Sequence, residues 1–166
     1  NFTITIPTNF GFDNIESDIK RTFDIAKQKI IDNGINVVEV NFPILDRYKK
    51  IPLWQFAAVE CLTEYADAYH DTPELIDPNI LKRMHRANEV KAVEYKLLLK
   101  IRQQMIEEHN KELGNGFLLM PTVTIKPPLL KDCNDTKHYD EVNLISLQNT
   151  TLANFMNGCS ISLPFS

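Results

Sequence analysis

The chain has 166 residues, of which 43% are apolar and 24% charged, and this composition indicates one globular domain with its own hydrophobic core. Its formal net charge of −4 gives no electrostatic reason to bind nucleic acid or an anionic membrane surface. The three cysteines are widely spaced, and the sequence has neither a signal peptide nor an apolar run of membrane-spanning length. We therefore expect a soluble cytoplasmic protein without a disulfide framework.

The first part of the chain is predicted to form a strand, a helix and a second strand. Residues 3–6 and residues 37–40 are rich in β-branched side chains, which is typical of strands. Between them, Asp13 and Glu16 have the spacing of a capping box, apolar residues recur at helical spacing, and Gly34 follows as a C-cap. A β-α-β unit of this kind favours parallel pairing in a sheet covered by helices.

The middle of the chain is predicted to be helical. Apolar residues repeat at helical spacing over residues 53–69 and again, for longer, over residues 89–113. Between these segments Asp77 and Pro78 occupy the N-cap and first position of a short helix, where these residue types are favoured. This part reads as a helical insertion in an α/β fold.

The last part is predicted to contain two further strands. Residues 117–120 form a short apolar run before a proline, as in a buried strand, and residues 160–163 are the second candidate. Residues 126–139 read as a surface loop, and residues 142–156 as a helix. The fold class is therefore α/β, a β-α-β unit plus a helical insertion and two further strands in a mixed sheet, within a single domain over residues 1–166.

Three motifs carry a resemblance to a known family. Residues 34–43 (GINVVEVNFP) resemble the G-x-x-V-V-E-V-x-x-P strand of the amidase-signature family, and residues 118–123 (LLMPTV) resemble its L-L-x-P-T strand. Residues 149–164 (NTTLANFMNGCSISLP) resemble its T-x-x-x-N-x-x-G-x-P-A-I-S-V-P segment. The order and spacing of the motifs extend the resemblance over nearly the whole chain.

The resemblance implies carboxamide hydrolysis by a Ser–cis-Ser–Lys triad, with an oxyanion hole in a Gly/Ser-rich loop. A serine attacks only when a base takes its proton, and donors must stabilise the developing oxyanion. This sequence has five glycines, none adjacent to another, and no such loop. The resemblance therefore implies that the triad would precede Asn1, and that the chain is the C-terminal portion of an amidase, truncated at both ends. We expect the chain alone to be inactive and to need no cofactor.

Five residues are candidates for the wall of the substrate pocket. The resemblance implies that the loop after the third strand and the last helix approach a small amide substrate; the matching residues are Thr122, Val123, Thr124, Thr151 and Asn154. A structural interpretation is also open, because a threonine after a strand is often a turn residue and a helical asparagine often bonds backbone.

Two alternatives to a stand-alone amidase remain open. Where most family members have Gly, Leu and Pro, this chain has Asn157, Gly158 and Cys159, a form that resembles bacterial amidases related to the A subunit of tRNA-dependent amidotransferases. The chain could therefore belong to an amidotransferase A-type subunit, or it could be a non-catalytic α/β module that binds a protein. Open strand edges would also allow it to dimerise.

A metal site is not expected. Asp67, His70 and Asp71 could share one helix face, since residues three and four apart are neighbours on a helix. No further ligand is placed near them by the sequence, and charged residues on a helix are usually solvated. We therefore predict no bound metal.

Overall fold

The computed structural model describes residues 2–129 and 136–165. The strands are β1 (Thr3–Pro7), β2 (Asn36–Val40) and β3 (Phe117–Leu118). The helices are α1 (Ser17–Asp32), α2 (Pro43–Tyr48), α3 (Leu53–Glu64), α4 (Ala66–Asp71), α5 (Pro78–His85), α6 (Ala92–Leu113) and α7 (Thr136–Phe155). Across these ranges, none of the helices combines the length and the apolar character needed to cross a membrane.

The three strands form one parallel sheet in the order β2-β1-β3. Thr3 lies opposite Asn36 and Pro7 opposite Val40 on one side, while β3 pairs with β1 for only two residues. The predicted α/β class and the parallel β-α-β unit are confirmed. The prediction of a mixed sheet is wrong for the described strands, because both pairings are parallel.

The start of α1 differs from the sequence prediction. Glu16, rather than Asp13, is the N-cap residue, and its backbone is extended (φ −66°, ψ 143°). The reason is a long-range contact: the Glu16 backbone N–H donates to the Thr124 carbonyl oxygen at 2.9 Å, and the Glu16 carboxylate accepts from the Lys126 backbone N–H at 2.9 Å. The predicted end is confirmed, since Gly34 follows the helix with φ +77°.

The predicted strand at residues 160–163 is wrong. The segment has no regular structure, and Ile161 and Leu163 are largely exposed. Its described contact with the loop after β3 runs between side chains, from Ser162 Oγ to Thr122 Oγ1 at 2.8 Å. A strand requires a ladder of backbone hydrogen bonds, and β3, with two residues, offers a very short one.

Three further boundaries are corrected. The predicted helix over residues 53–69 breaks at Tyr65 into α3 and α4, and a 3₁₀ turn at Arg86–Glu89 delays the start of α6. The predicted loop over residues 126–139 is replaced by helix from Thr136 onward, and its residues 130–135 lie outside the described ranges.

The first of two compact units, the sheet unit, comprises Asn1–Tyr48 and Met105–Ser166. Its core contains an aromatic cluster in which Tyr48 contacts Phe10 and Phe155 edge to face, with ring centroids 5.4 and 5.2 Å apart. Burial raises the pKa of the Tyr48 hydroxyl. Leu45, three residues before Tyr48, is completely buried. The single-domain prediction stays a prediction.

The second compact unit, the helical unit, comprises Lys49–Gln104. Its α5 begins as predicted, because the Asp77 carboxylate accepts hydrogen bonds from the first-turn N–H groups of Asn79 and Ile80. Met84 is the most buried side chain among its described residues. The Arg86 guanidinium stacks 3.9 Å from the centre of the Trp54 ring, a cation–π contact.

Candidate functional site

The carboxyl ends of the three parallel strands meet at one edge of the sheet. The loops that leave this edge are residues 8–16 after β1, 41–42 after β2 and 119–129 after β3; we call them the β1, β2 and β3 loops. In α/β sheets the ligand crevice lies outside the carboxyl ends of the strands. This edge is therefore the candidate site of the sheet unit.

Asn9 joins the β1 loop to the β2 loop. Its Nδ2 donates to the Phe42 carbonyl oxygen at 2.8 Å, and its Oδ1 accepts from the Phe42 backbone N–H at 3.1 Å. The Thr8 N–H also donates to the Val40 carbonyl at 3.0 Å. The amide side chain thus reproduces the pairing of a backbone peptide and extends the contact between the first two strands beyond their ends.

Asn149, on α7, joins the β1 loop to the β3 loop. Its Nδ2 donates to the Gly11 carbonyl oxygen at 2.9 Å and to the Pro121 carbonyl oxygen at 2.7 Å, and the residue is buried. Gly11 has φ +90°, and a Cβ there would lie 3.2 Å from the Cβ and Sδ of Met120. Glycine adopts this conformation without strain and leaves the Met120 side chain in place.

Glu16 makes a second connection between the β1 and β3 loops, through the two hydrogen bonds that also fix the start of α1. Next to it, Lys126 Nζ lies 2.5 Å from a carboxylate oxygen of Asp18. The hydrogen bond and charge of Lys126 lower the pKa of Asp18, and the Asp18 carboxylate correspondingly raises the pKa of Lys126. Both side chains are exposed, so solvent screens the pair.

Three of the predicted pocket residues lie in the β3 loop at this edge. Thr122 and Val123 are exposed, and Thr122 hydrogen-bonds Ser162. Thr124 is buried, its carbonyl accepts from Glu16, and its hydroxyl has no hydrogen-bond partner among the described atoms. Thr122 and Val123 can thus reach a ligand, whereas Thr124 is placed to fix the loop.

The other two predicted pocket residues lie on the last turns of α7. Thr151 is half-buried, and its hydroxyl donates to the Leu147 carbonyl of its own helix at 2.7 Å. Asn154 is exposed. Asn149 fastens this helix to the β3 loop, so both groups of predicted residues belong to elements that are tied together. Their contact with substrate stays a prediction.

The sequence interpretation missed Asn9, Asn149 and Glu16 as connecting residues. One signal was available for Asn149: it lies three and seven residues before Leu152 and Met156, and therefore shares their buried helix face. A buried amide on an apolar face must be hydrogen-bonded or it costs free energy. The sequence could show the need for partners but could not name them.

The edge presents hydroxyl, amide and backbone groups that can hydrogen-bond a neutral polar ligand. Nucleophilic attack by a hydroxyl also requires a base positioned on it, and the hydroxyl of Thr122 pairs with another hydroxyl. Among residues 2–129 and 136–165, no group of three His, Cys, Asp or Glu side chains is arranged to hold a metal ion. The arrangement can therefore bind a neutral polar ligand.

An open groove of about 410 Å³ lies elsewhere, on the helical unit. Its lining residues are Ala92, Val93, Lys96, Leu97 and Lys100. All of them belong to α6, and the surface of a single helix cannot enclose a small molecule. Ligand pockets bury most of the ligand and converge polar groups on it, so the groove is a weaker candidate than the sheet edge.

The family is established by comparison with known proteins. The family model described as Amidase matches residues 1–166. The chain therefore belongs to the amidase family, and the resemblance inferred from the three sequence motifs is confirmed.

Individual relatives agree with this assignment. The chain is 26% identical to 2-amino-5-chloromuconic acid deaminase of Comamonas testosteroni, over 97% of this chain and 35% of that protein. It thus spans about a third of the curated relative's length. The fold is similar to Kluyveromyces lactis allophanate hydrolase (S177A; TM-score 0.69, 18% identity, 95% of this chain and 25% of that one). It is also similar to K. lactis urea amidolyase (TM-score 0.60, 21% identity, 93% and 9%).

Proposed function

We propose that this chain is the C-terminal portion of an enzyme that hydrolyses the carbon–nitrogen bond of a small amide. The observation that carries the proposal is the match to the amidase family over the whole chain. The relatives support the same chemistry by their names, since one is a deaminase and another a hydrolase of allophanate. The substrate would be a small carboxamide or a related amino compound.

Within that enzyme, the proposed role of this chain is to build the scaffold and part of the pocket wall. Support comes from the carboxyl edge of the sheet, where Asn9, Glu16 and Asn149 join three loops into one surface. Thr122 and Val123 are two exposed residues of that surface in the β3 loop. A pocket wall that is rigid before substrate arrives orients the substrate at a lower entropic cost.

We further propose that the chain alone does not hydrolyse amides. Its sequence has no adjacent glycines and no Gly/Ser-rich loop that could supply oxyanion donors. A serine without a positioned base is a weak nucleophile. The proposed catalytic serines and lysine would come from the part of the enzyme that precedes Asn1.

The test has two arms. Sequencing the gene upstream of the codon for Asn1 should reveal a Gly/Ser-rich loop with a lysine before it; absence of both would contradict the amidase proposal. The purified 166-residue chain and the complete gene product should then be assayed for ammonia release from acetamide, benzamide, allophanate and 2-aminomuconate. We expect turnover by the complete product alone. Turnover by the 166-residue chain would overturn the scaffold role.

Repeating that assay with glutamine, in the presence and absence of a tRNA-amidating partner, separates the alternatives. Ammonia release from glutamine that depends on a tRNA-amidating partner would assign the complete protein to the amidotransferase A-type subunits. A complete gene without the catalytic loop would favour a non-catalytic protein-binding module. We also propose a cytoplasmic location, supported by the wide spacing of the three cysteines in the sequence and by the free state of Cys61 and Cys159 among the described residues. We further propose dimerisation through the outer edge of β2 or β3, which light scattering of the purified chain measures.

A further inference from the structure

Asn149 differs from the other polar residues at this end of α7. The hydroxyls of Thr150 and Thr151 both donate to the Leu147 carbonyl of the same helix, at 3.2 and 2.7 Å. Asn149 is buried on the opposite, apolar face, and its Nδ2 donates to two carbonyl oxygens in two other segments. Its donors are therefore used for contacts between elements and not for the helix itself.

Within the described part of the chain, the Asn149 side chain acts as a donor. Its Oδ1 is buried and has no hydrogen-bond partner among the described atoms, while both described hydrogen bonds come from Nδ2. A buried polar atom without a partner is costly. The unpaired Oδ1 therefore destabilises α7, and the helix itself gives no reason for an amide at this position. The feature that requires the amide is the pair of carbonyl oxygens, on Gly11 and Pro121.

The two carbonyls belong to loops that approach each other very closely. At Gly11 an added Cβ would lie only 3.2 Å from the Cβ and Sδ of Met120, so that side chain would have to shift. Further along, the backbone of Glu16 hydrogen-bonds Thr124, and its carboxylate hydrogen-bonds the Lys126 N–H. The β1 and β3 loops are thus held at two places, and Asn149 is the buried one.

We propose that Asn149 is a positioning residue for the substrate pocket: it sets the spacing of the β1 and β3 loops, and thereby fixes the wall that Thr122 and Val123 present. This inference rests on the proposed function, because the wall serves an amide substrate. A donor placed between two backbone carbonyls defines the position of both loops more sharply than apolar contact, since hydrogen bonds are directional. Such support holds a site in its productive geometry.

Amide hydrogen exchange of the 166-residue chain tests the positioning itself. The backbone amides of Glu16 and Lys126 are the reporters, because each donates across the two loops; the ladder amides of β1 and β2 are the internal reference. The variants are Asn149→Leu, which removes the donors without adding charge, and Asn149→Asp, which keeps the shape. Thr150→Ala is the matched control, since that hydroxyl bonds only its own helix.

We expect both Asn149 variants to accelerate exchange at the two reporters by about tenfold or more relative to the ladder amides, and Thr150→Ala to leave that ratio unchanged. Gly11→Ala, which separates the loops from the other side, should accelerate the same two amides. Equal acceleration of reporters and ladder would mean that Asn149 contributes only to global stability. That result, or no acceleration, would overturn the proposal.

Activity gives an independent readout in the complete gene product. With an amide that the product hydrolyses, Asn149→Leu should raise KM by about tenfold and change kcat less, because a loosened wall weakens binding before it affects the catalytic groups. A fall in kcat of about tenfold with an unchanged KM would contradict a role in the pocket wall. If the product hydrolyses no amide, the proposed function fails, whereas the exchange experiment still decides whether Asn149 positions the loops.

Discussion

The sheet unit and the helical unit are stabilised in different ways. Among the described residues, the sheet unit contains ten of the buried apolar side chains: Ile6, Phe10, Phe42, Ile44, Leu45, Tyr48, Met105, Leu152, Phe155 and Met156. The helical unit contains three: Ala58, Met84 and Leu98. Because burial of apolar surface is the main stabilising contribution to folding, the sheet unit should be the more stable part.

The two units also differ in the burial of their polar contacts. In the sheet unit Asn149 is buried and connects segments 138 and 28 residues away in sequence. In the helical unit the hydrogen bond between Tyr69 Oη and His85 Nδ1 at 2.6 Å and that from Tyr95 Oη to Glu60 at 3.1 Å are both exposed. The candidate site therefore lies on the unit that should open last, which suits a pocket wall.

The largest loss of stability should come from a substitution in the core of the sheet unit. Leu45→Ala removes a completely buried side chain, and we expect it to lower the free energy of unfolding by about 3 kcal/mol because of lost burial and the cavity left behind. Urea unfolding followed by circular dichroism measures the change. Leu163→Ala, at an exposed position of the same unit, is the control and should change it by less than about 0.5 kcal/mol.

A matched change in the helical unit tests whether the two units open separately. Met84→Ala should cost about 2 kcal/mol, and amide exchange should accelerate in α3 and α5 while the ladder amides of β1 and β2 keep their rates. Equal acceleration in both units would show that they unfold as one cooperative structure and do not differ in stability.

A smaller and more local effect is expected at the start of α5. Asp77→Ala removes the side chain that accepts from two first-turn N–H groups, and should cost about 1 kcal/mol. Among the backbone amides, faster hydrogen exchange should be confined to those of α5. Asp77→Ser, which restores an N-cap acceptor, should recover most of it; if it does not, capping is not the reason for the effect.

The smallest effect should come from the exposed pair of Asp18 and Lys126. The folded-state pKa of Asp18 lies below its ordinary value of 3.8 because of Lys126. Its stabilisation is therefore present above that value and is lost as the pH falls through the folded-state pKa. We expect Asp18→Asn to lower the thermal midpoint slightly at pH 6 and not at pH 2, measured at low ionic strength. A fall in the thermal midpoint of the same size at both pH values would show that the charge pair is not its cause.

Elements with a strong local pattern could be predicted from the sequence. The two strands of the β-α-β unit and the Asp77 N-cap depend on residues close together in the chain, and they are confirmed. The predicted start of α1 was wrong because Glu16 is held by Thr124 and Lys126, more than 100 residues away. The strand at residues 160–163 was wrong because a strand depends on its neighbours as well as its own composition.

The candidate site could be predicted in part. The β3 loop was identified through its resemblance to a family motif, and the roles of Thr122, Val123, Thr124, Thr151 and Asn154 stay predictions. The connections made by Asn9 and Asn149 could not be predicted, because an asparagine can bond any nearby carbonyl. Only the folded backbone brings Phe42, Gly11 or Pro121 within reach.

The link between the loops through Asn149 also limits how this protein can vary in length. Surface loops usually accept insertions and deletions, because their ends are held by the elements that they connect. In the β1 and β3 loops, however, one added residue before Gly11 or Pro121 would carry a carbonyl oxygen away from a side chain that is fixed on α7. Homologues that keep this asparagine should therefore keep the lengths of both segments, and those that have lost it are the ones in which either segment can grow.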